Sequence, residues 1–123
     1  MGSKKVLIAD NDEEFRSLLA FFLGKMGLQV VLVTNGREAI EEAVKGDFDL
    51  VMLDVMMPEV DGYHTAIEIT EKMGSSRPKI LIMTSRDLKT ENGIAIMSGA
   101  DATLQKPCKL SEIKERIESI LQL

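Results

Sequence analysis

The sequence predicts a doubly wound (βα)5 sandwich, a single parallel sheet with helices on both faces. Three observations carry that expectation. Five short apolar runs alternate with five segments of helical period, and parallel strands need such crossovers. The runs are near-continuous rather than alternating, as in strands buried on two faces. Most of them also end abruptly on polar residues, and in open α/β sheets ligands collect at the carboxyl ends of the strands.

The first strand, residues 5–9 (KVLIA), breaks into Asp10, Asn11, Asp12, Glu13 and Glu14. Those acids suit the positive end of the following helix. Within that helix Phe15, Leu18, Leu19, Phe22, Leu23 and Met26 recur at steps of three and four and are expected in the core. Gly27 stands where a C-cap glycine belongs. The second strand, 28–33, ends at Asn35-Gly36, a turn signal, and a short helix over 38–44 should point Ile40, Ala43 and Val44 inward before Gly46 and Asp47 close it. The third strand, Leu50 to Leu53, ends on Asp54, and the chain turns at Pro58 and Gly62. A helix from Gly62 to about 73 carries Tyr63, Ala66, Ile67, Thr70 and Met73 on one stripe, and a loop spans 74–78. The fourth strand, 79–83, ends at Thr84-Ser85. The next helix, 88–97, contains Gly93, which costs ~1 kcal/mol relative to Ala, so it is expected to be mobile. Residues 102–105 form a weak fifth strand before Lys106-Pro107, and the last helix, 111–121, turns Ile113, Ile117, Ile120 and Leu121 inward.

Bulk properties narrow the function. With 123 residues the chain holds one domain, expected over 4–123, with 1–3 a leader that is either a cloning remnant or disordered. A net charge of −5 argues against direct nucleic-acid binding. No apolar run approaches the ~20 residues that span a bilayer, so no membrane association is expected. A single cysteine, Cys108, rules out an internal disulfide and fits a cytoplasmic location, and one His with no Cys/His cluster speaks against zinc. Trp is absent and aromatics make up 4%, so the core should be aliphatic, with the eight Met filling gaps.

The strand ends carry the chemistry. The first delivers Asp10, Asn11 and Asp12; the third Asp54; the fourth Thr84 and Ser85; the fifth Lys106. Each alone is an ordinary polar strand end, but in this architecture all fall on one rim. Clustered carboxylates need a counter-charge, which a hard divalent ion with oxygen ligands and the Lys106 ammonium would provide. A carboxylate beside a metal, a hydroxyl and a Lys is equipped to accept a phosphoryl group as a nucleophile.

With Asp10-Asn11-Asp12, the LDVMMPEVDG segment at 53–62, the MTS at 83–85 and Gln105-Lys106-Pro107, the chain resembles the receiver domain of two-component response regulators from Lys4 to Leu121. The resemblance implies a flavodoxin-like strand order, 2-1-3-4-5. It implies that Asp54 is the phosphoacceptor, charged from a phosphohistidine on a sensor histidine kinase or phosphotransfer protein. It further implies Mg²⁺ or Mn²⁺ held by Asp10, Asn11, Asp54 and the backbone carbonyl of Met56. Thr84 would bind the phosphoryl oxygen, Lys106 would pair with the acyl phosphate, and Lys106-Pro107 would be a cis peptide. By the same resemblance the output surface is the fourth helix, fifth strand and fifth helix, docking a downstream protein or output domain. Such a domain is not an enzyme: it catalyses only its own phosphorylation and dephosphorylation.

This chain departs from the family pattern in ways that set further expectations. Asn11 replaces a second Asp, so metal binding should be weak; Asp12, one residue on, either compensates for it or points away into the helix start. Thr103 stands where many receivers carry a switching Tyr or Phe. Cys108 replaces a common Phe and is expected to pack rather than react. Lys109 cannot accept hydrogen bonds at a helix start, so Ser111 is the expected cap. Met56 and Arg86 should hinder water and slow acyl-phosphate hydrolysis. Two rivals stand beside this reading: a degenerate receiver that binds partners without phosphorylation, and a small phosphatase with an Asp nucleophile. The second lacks room for a cap domain and a second Asp shortly after Asp54.

Overall fold

The computed structural model describes residues 3–123, so Met1 and Gly2 of the expected leader lie outside the described residues. The chain runs β1(Lys5–Ala9), α1(Glu13–Lys25), β2(Gln29–Val33), α2(Gly36–Lys45), β3(Leu50–Asp54), α3(Gly62–Met73), a 3-10 turn at Gly74–Ser76, β4(Lys79–Thr84), α4(Leu88–Met97), β5(Ala102–Gln105) and α5(Leu110–Leu121). All pairings are parallel and the strand order is β2-β1-β3-β4-β5, the predicted flavodoxin-like order. The order changes direction at β1, leaving its carboxyl end beside that of β3.

Alternation along the strands divides the core in two. Val6, Ile8, Leu50, Met52, Leu81 and Met83 pack with Leu19 and Leu23 of α1 and Ile113 and Ile117 of α5. Leu7, Ala9, Val51, Leu53, Ile80 and Ile82 pack with Ala39 and Ile40 of α2, Ala66 and Ile69 of α3 and Ala95 of α4. All five residues of β3 are buried, as a strand covered on both faces requires.

Several local expectations need correction. Leu18 and Val44 are 46% and 45% exposed, because each lies at the margin of its helix's apolar stripe rather than at its centre. On α3, Ile69 and Thr65 take buried places, while Ile67 is only half-buried. Asn35-Gly36 is no free turn: Asn35 caps α2, its side chain accepting from Glu38 N at 2.8 Å, so the helix starts at Gly36. Helix α5 begins at Leu110, before Ser111; there the Glu112 carboxylate reaches back to accept from Lys109 N at 3.2 Å, one half of a capping box. The core is not wholly aliphatic, since Phe48 and Tyr63 are buried, and Met56 and Met97 are exposed rather than gap-filling. Gly27 does close α1, with φ at +85° and Leu28 N donating to Leu23 O at 3.1 Å. Among the described residues no helix is long and apolar enough to cross a membrane.

Candidate functional site

Four strand ends meet at the carboxyl edge of the sheet around β1 and β3. Asp10, just past β1, is fully buried, and Asp54, the last residue of β3, is 6% exposed. Lys106 follows β5 and reaches across β4 to both: its Nζ lies 3.0 Å from Asp10 Oδ2 and 3.6 Å from Asp54 Oδ1. Thr84 ends β4 and is buried, its hydroxyl accepting from Arg86 N at 3.0 Å. The peptide joining Lys106 to Pro107 is cis.

The local sequence holds these groups in place. Asp10 Oδ1 accepts from Asp12 N at 2.9 Å, and the Asp10 carbonyl accepts from Arg16 Nη1 at 2.7 Å, so both ends of Asp10 are fixed. Of the two roles open to Asp12, the structure shows the cap: it is directed into α1, accepting from Glu14 N and Phe15 N. Behind β3, Gly62 lies so close that a Cβ there would sit 2.5 Å from the Asp54 carbonyl oxygen; only glycine lets α3 start against the strand end.

Two carboxylates share one ammonium. Burial, then the neighbouring Asp10 charge, push the Asp54 carboxyl up to about 6, while Lys106 and the Met56 backbone N–H pull the other way. Asp54 is thus still mostly ionised at neutral pH. Above it, Asn11 is exposed and lines a depression with Met56, Pro58 and Asp61. Arg86 Nη2 donates to Met56 Sδ at 3.3 Å, bridging one side of the rim to the other. Among the described residues no three His, Cys, Asp or Glu side chains are placed to hold a metal ion. The donor set is instead two buried carboxylates with the neutral Asn11 beside them, all oxygen donors in a pocket short of positive charge, which fits a hard divalent cation.

Of the rim residues read from the sequence, Asp10, Asp54, Thr84 and Lys106 come together, Asn11 and Met56 border them, and Asp12 and Ser85 do not take part; Ser85 is exposed. Sequence reasoning missed Phe15, whose ring lies 4.3 Å from Lys106 Nζ, and Arg16. Periodicity assigned Phe15 to the core stripe and gave no sign of the cation above it. Thr103 is half-buried, its hydroxyl donating to Asn92 Oδ1 at 3.2 Å. Cys108 is half-buried against the α1–α5 core, and burial raises its thiol, which accords with packing.

Residues 6–118 match the family described as the response regulator receiver domain. The chain belongs to that family. It is the receiver domain of a two-component response regulator, a signalling domain. It is 36% identical over 118 residues to the transcriptional regulatory protein CiaR of Streptococcus pneumoniae, covering 96% of this chain and 51% of that protein. It is 31% identical over 122 residues to the alkaline phosphatase synthesis transcriptional regulatory protein PhoP of Bacillus subtilis, covering 98% and 49%. The receiver thus spans about half the length of these curated relatives. Among solved structures, a two-component response regulator from Clostridium difficile superposes with a TM-score of 0.89 at 28% identity, covering 98% of this chain and 97% of the other. The response regulator TrrA from Thermotoga maritima, in complex with Mg²⁺-BeF, gives 0.85 at 30% identity, covering 96% and 99%.

Proposed function

We propose that this receiver takes a phosphoryl group from a phosphohistidine of a histidine kinase or phosphotransfer protein onto Asp54, and that the phosphorylated state changes a partner-binding face. The observation that carries the reading is the placement of Asp54: a buried carboxylate at a strand end, with the Lys106 ammonium 3.6 Å away and the Thr84 hydroxyl on the adjacent strand end. An Asp54 carboxylate oxygen attacks phosphorus, the new O–P bond forms as the N–P bond breaks, and the imidazole nitrogen keeps the electron pair and takes up a proton. Lys106 lies where negative charge on the transferred oxygens would build, and the Thr84 hydroxyl can donate its O–H there while its oxygen accepts from Arg86 N. A divalent ion held by Asp10, Asn11, Asp54 and the Met56 carbonyl would supply charge neutralisation at the phosphoryl oxygens. Asn11 contributes an oxygen but no charge, so that ion binds weakly. The relative TrrA, solved in complex with Mg²⁺-BeF, supports a magnesium ion in this reading.

The phosphoryl group adds roughly −1.5 to −2 of charge at Asp54. Thr84 and Lys106 gain contacts to it, and the β4–α4 loop follows through the Arg86 N to Thr84 Oγ1 bond. The output face in this reading is α4, β5 and α5, where Ile94, Ile96 and Met97 are exposed. The domain catalyses only its own phosphorylation and dephosphorylation, and a cytoplasmic location with no direct contact to nucleic acid belongs to the same reading.

Incubation with phosphoramidate and Mg²⁺ followed by intact-mass measurement tests it. One phosphoryl group should appear on the wild type and none on Asp54→Ala; addition to both, or to neither, rejects Asp54 as acceptor. Run as a Mg²⁺ titration, the same reaction should saturate at a lower concentration in Asn11→Asp than in the wild type.

A further inference from the structure

The Lys106 ammonium has three neighbours, and only two are carboxylates. On the third side lies the ring of Phe15, its centroid 4.3 Å from Nζ, within the range where a cation is held by the negative face of an aromatic ring. Phe15 is the third residue of α1, and its own backbone N–H donates to Asp12 Oδ1 at 3.2 Å, so the helix cap fixes the point from which the ring projects. The side chain is partly buried and packs against the α1–α5 core. The ring is therefore anchored, whereas the Lys106 side chain is long and rotatable. With Asp10 Oδ2 at 3.0 Å and Asp54 Oδ1 at 3.6 Å, electrostatics alone would draw the ammonium towards Asp10.

We infer that Phe15 is a positioning residue for phosphoryl transfer: its ring holds the Lys106 ammonium over the pair of carboxylates and covers it from solvent. The Lys106 side chain is only 16% exposed. Held this way, the ammonium is in place before charge develops on the phosphoryl oxygens and loses no rotational freedom during transfer. The inference rests on the phosphoacceptor reading of Asp54 and deepens it.

Phe15→Leu keeps the backbone cap and much of the packing but removes the ring; Phe15→Tyr keeps the ring. Phosphorylation by phosphoramidate should fall about tenfold in Phe15→Leu, in the maximal rate rather than in the donor concentration at half-saturation, and stay near wild type in Phe15→Tyr. Phe15→Leu should cause no further loss in a Lys106→Met background. Independently of phosphorylation, the Lys106 side-chain protons should show upfield ring-current shifts in the wild type and Phe15→Tyr that vanish in Phe15→Leu. Equal rates for Phe15→Leu and wild type, or the same loss in the Lys106→Met background, overturn the positioning role. A wild type that takes up no phosphoryl group overturns the functional reading instead, and the holding of Lys106 by Phe15 then stands or falls on the ring-current shifts.

Discussion

Met56 and Arg86 close the rim above Asp54 from opposite sides. Met56 is 54% exposed and its sulfur takes a hydrogen bond from Arg86 Nη2, while Arg86 Nη1 lies 3.8 Å from Glu91 Oε1. On the phosphoacceptor reading proposed above, a thioether held by a guanidinium is the expected obstacle to water on that side of Asp54. Replacing Met56 by Asn removes the sulfur and offers a polar group that can orient water. The acyl-phosphate half-life of Met56→Asn should be shorter than that of the wild type, on the order of tenfold, as followed by loss of phosphoprotein mass with time. An unchanged half-life would show that water reaches the site by another route.

Of the five α-helices, α4 buries the fewest residues. Within its ten residues only Ala95 is buried, and few buried contacts are the physical basis for expecting mobility there. Polar links do the rest: Tyr63 Oη donates to Glu91 Oε1 at 2.6 Å, and Thr103 Oγ1 donates to Asn92 Oδ1. Burial and the Glu91 charge push the Tyr63 hydroxyl well above its ordinary value, so it remains a donor at any physiological pH. Gly93 lies mid-helix with nothing within 4 Å of where a Cβ would sit. Gly93→Ala should therefore stabilise the domain by about 0.5–1 kcal/mol in urea denaturation, since the new methyl meets no obstacle and the unfolded chain loses freedom. A destabilised variant would mean that α4 is not the regular helix described.

At the scale of the whole molecule, the site costs stability. The folded chain raises the Asp54 carboxyl to about 6, against roughly 3.9 for an unperturbed Asp. Folding therefore takes up a proton between those values, and the contribution of this group is most favourable below pH ~4 and is lost as pH rises through 6. The shift corresponds to up to about 3 kcal/mol against the folded state at pH 7 without metal. Asp54→Asn should unfold at a higher denaturant concentration than the wild type at pH 7 in metal-free buffer, with the gap closing as pH falls towards 4. A gap that is absent at pH 7, or that widens on acidification, would contradict the electrostatic account. The chain tolerates this cost because both faces of the sheet are otherwise filled, from Leu7 and Ile82 on one side to Ile8 and Leu81 on the other.

Sequence pattern alone determined the element types, the parallel sheet and the rim on which Asp10, Asp54, Thr84 and Lys106 meet. Apolar runs that stop on polar residues report two-sided burial and strand polarity, and both are local properties of the chain. Helix edges were less legible: Leu18 and Val44 keep the period of a buried stripe, but which of its margins faces solvent depends on how the helix rolls against the sheet. Caps made by Asn35 and Glu112 replaced the expected turn and the expected Ser111 because side chains reach back to backbone groups that no periodicity marks. Only the tertiary structure decided that Lys106 leans on Phe15, 91 positions away, and that Asp10 and Asp54 share its charge. A long side chain's resting place is chosen by neighbours from other strands and helices, and those exist only once the sheet has formed.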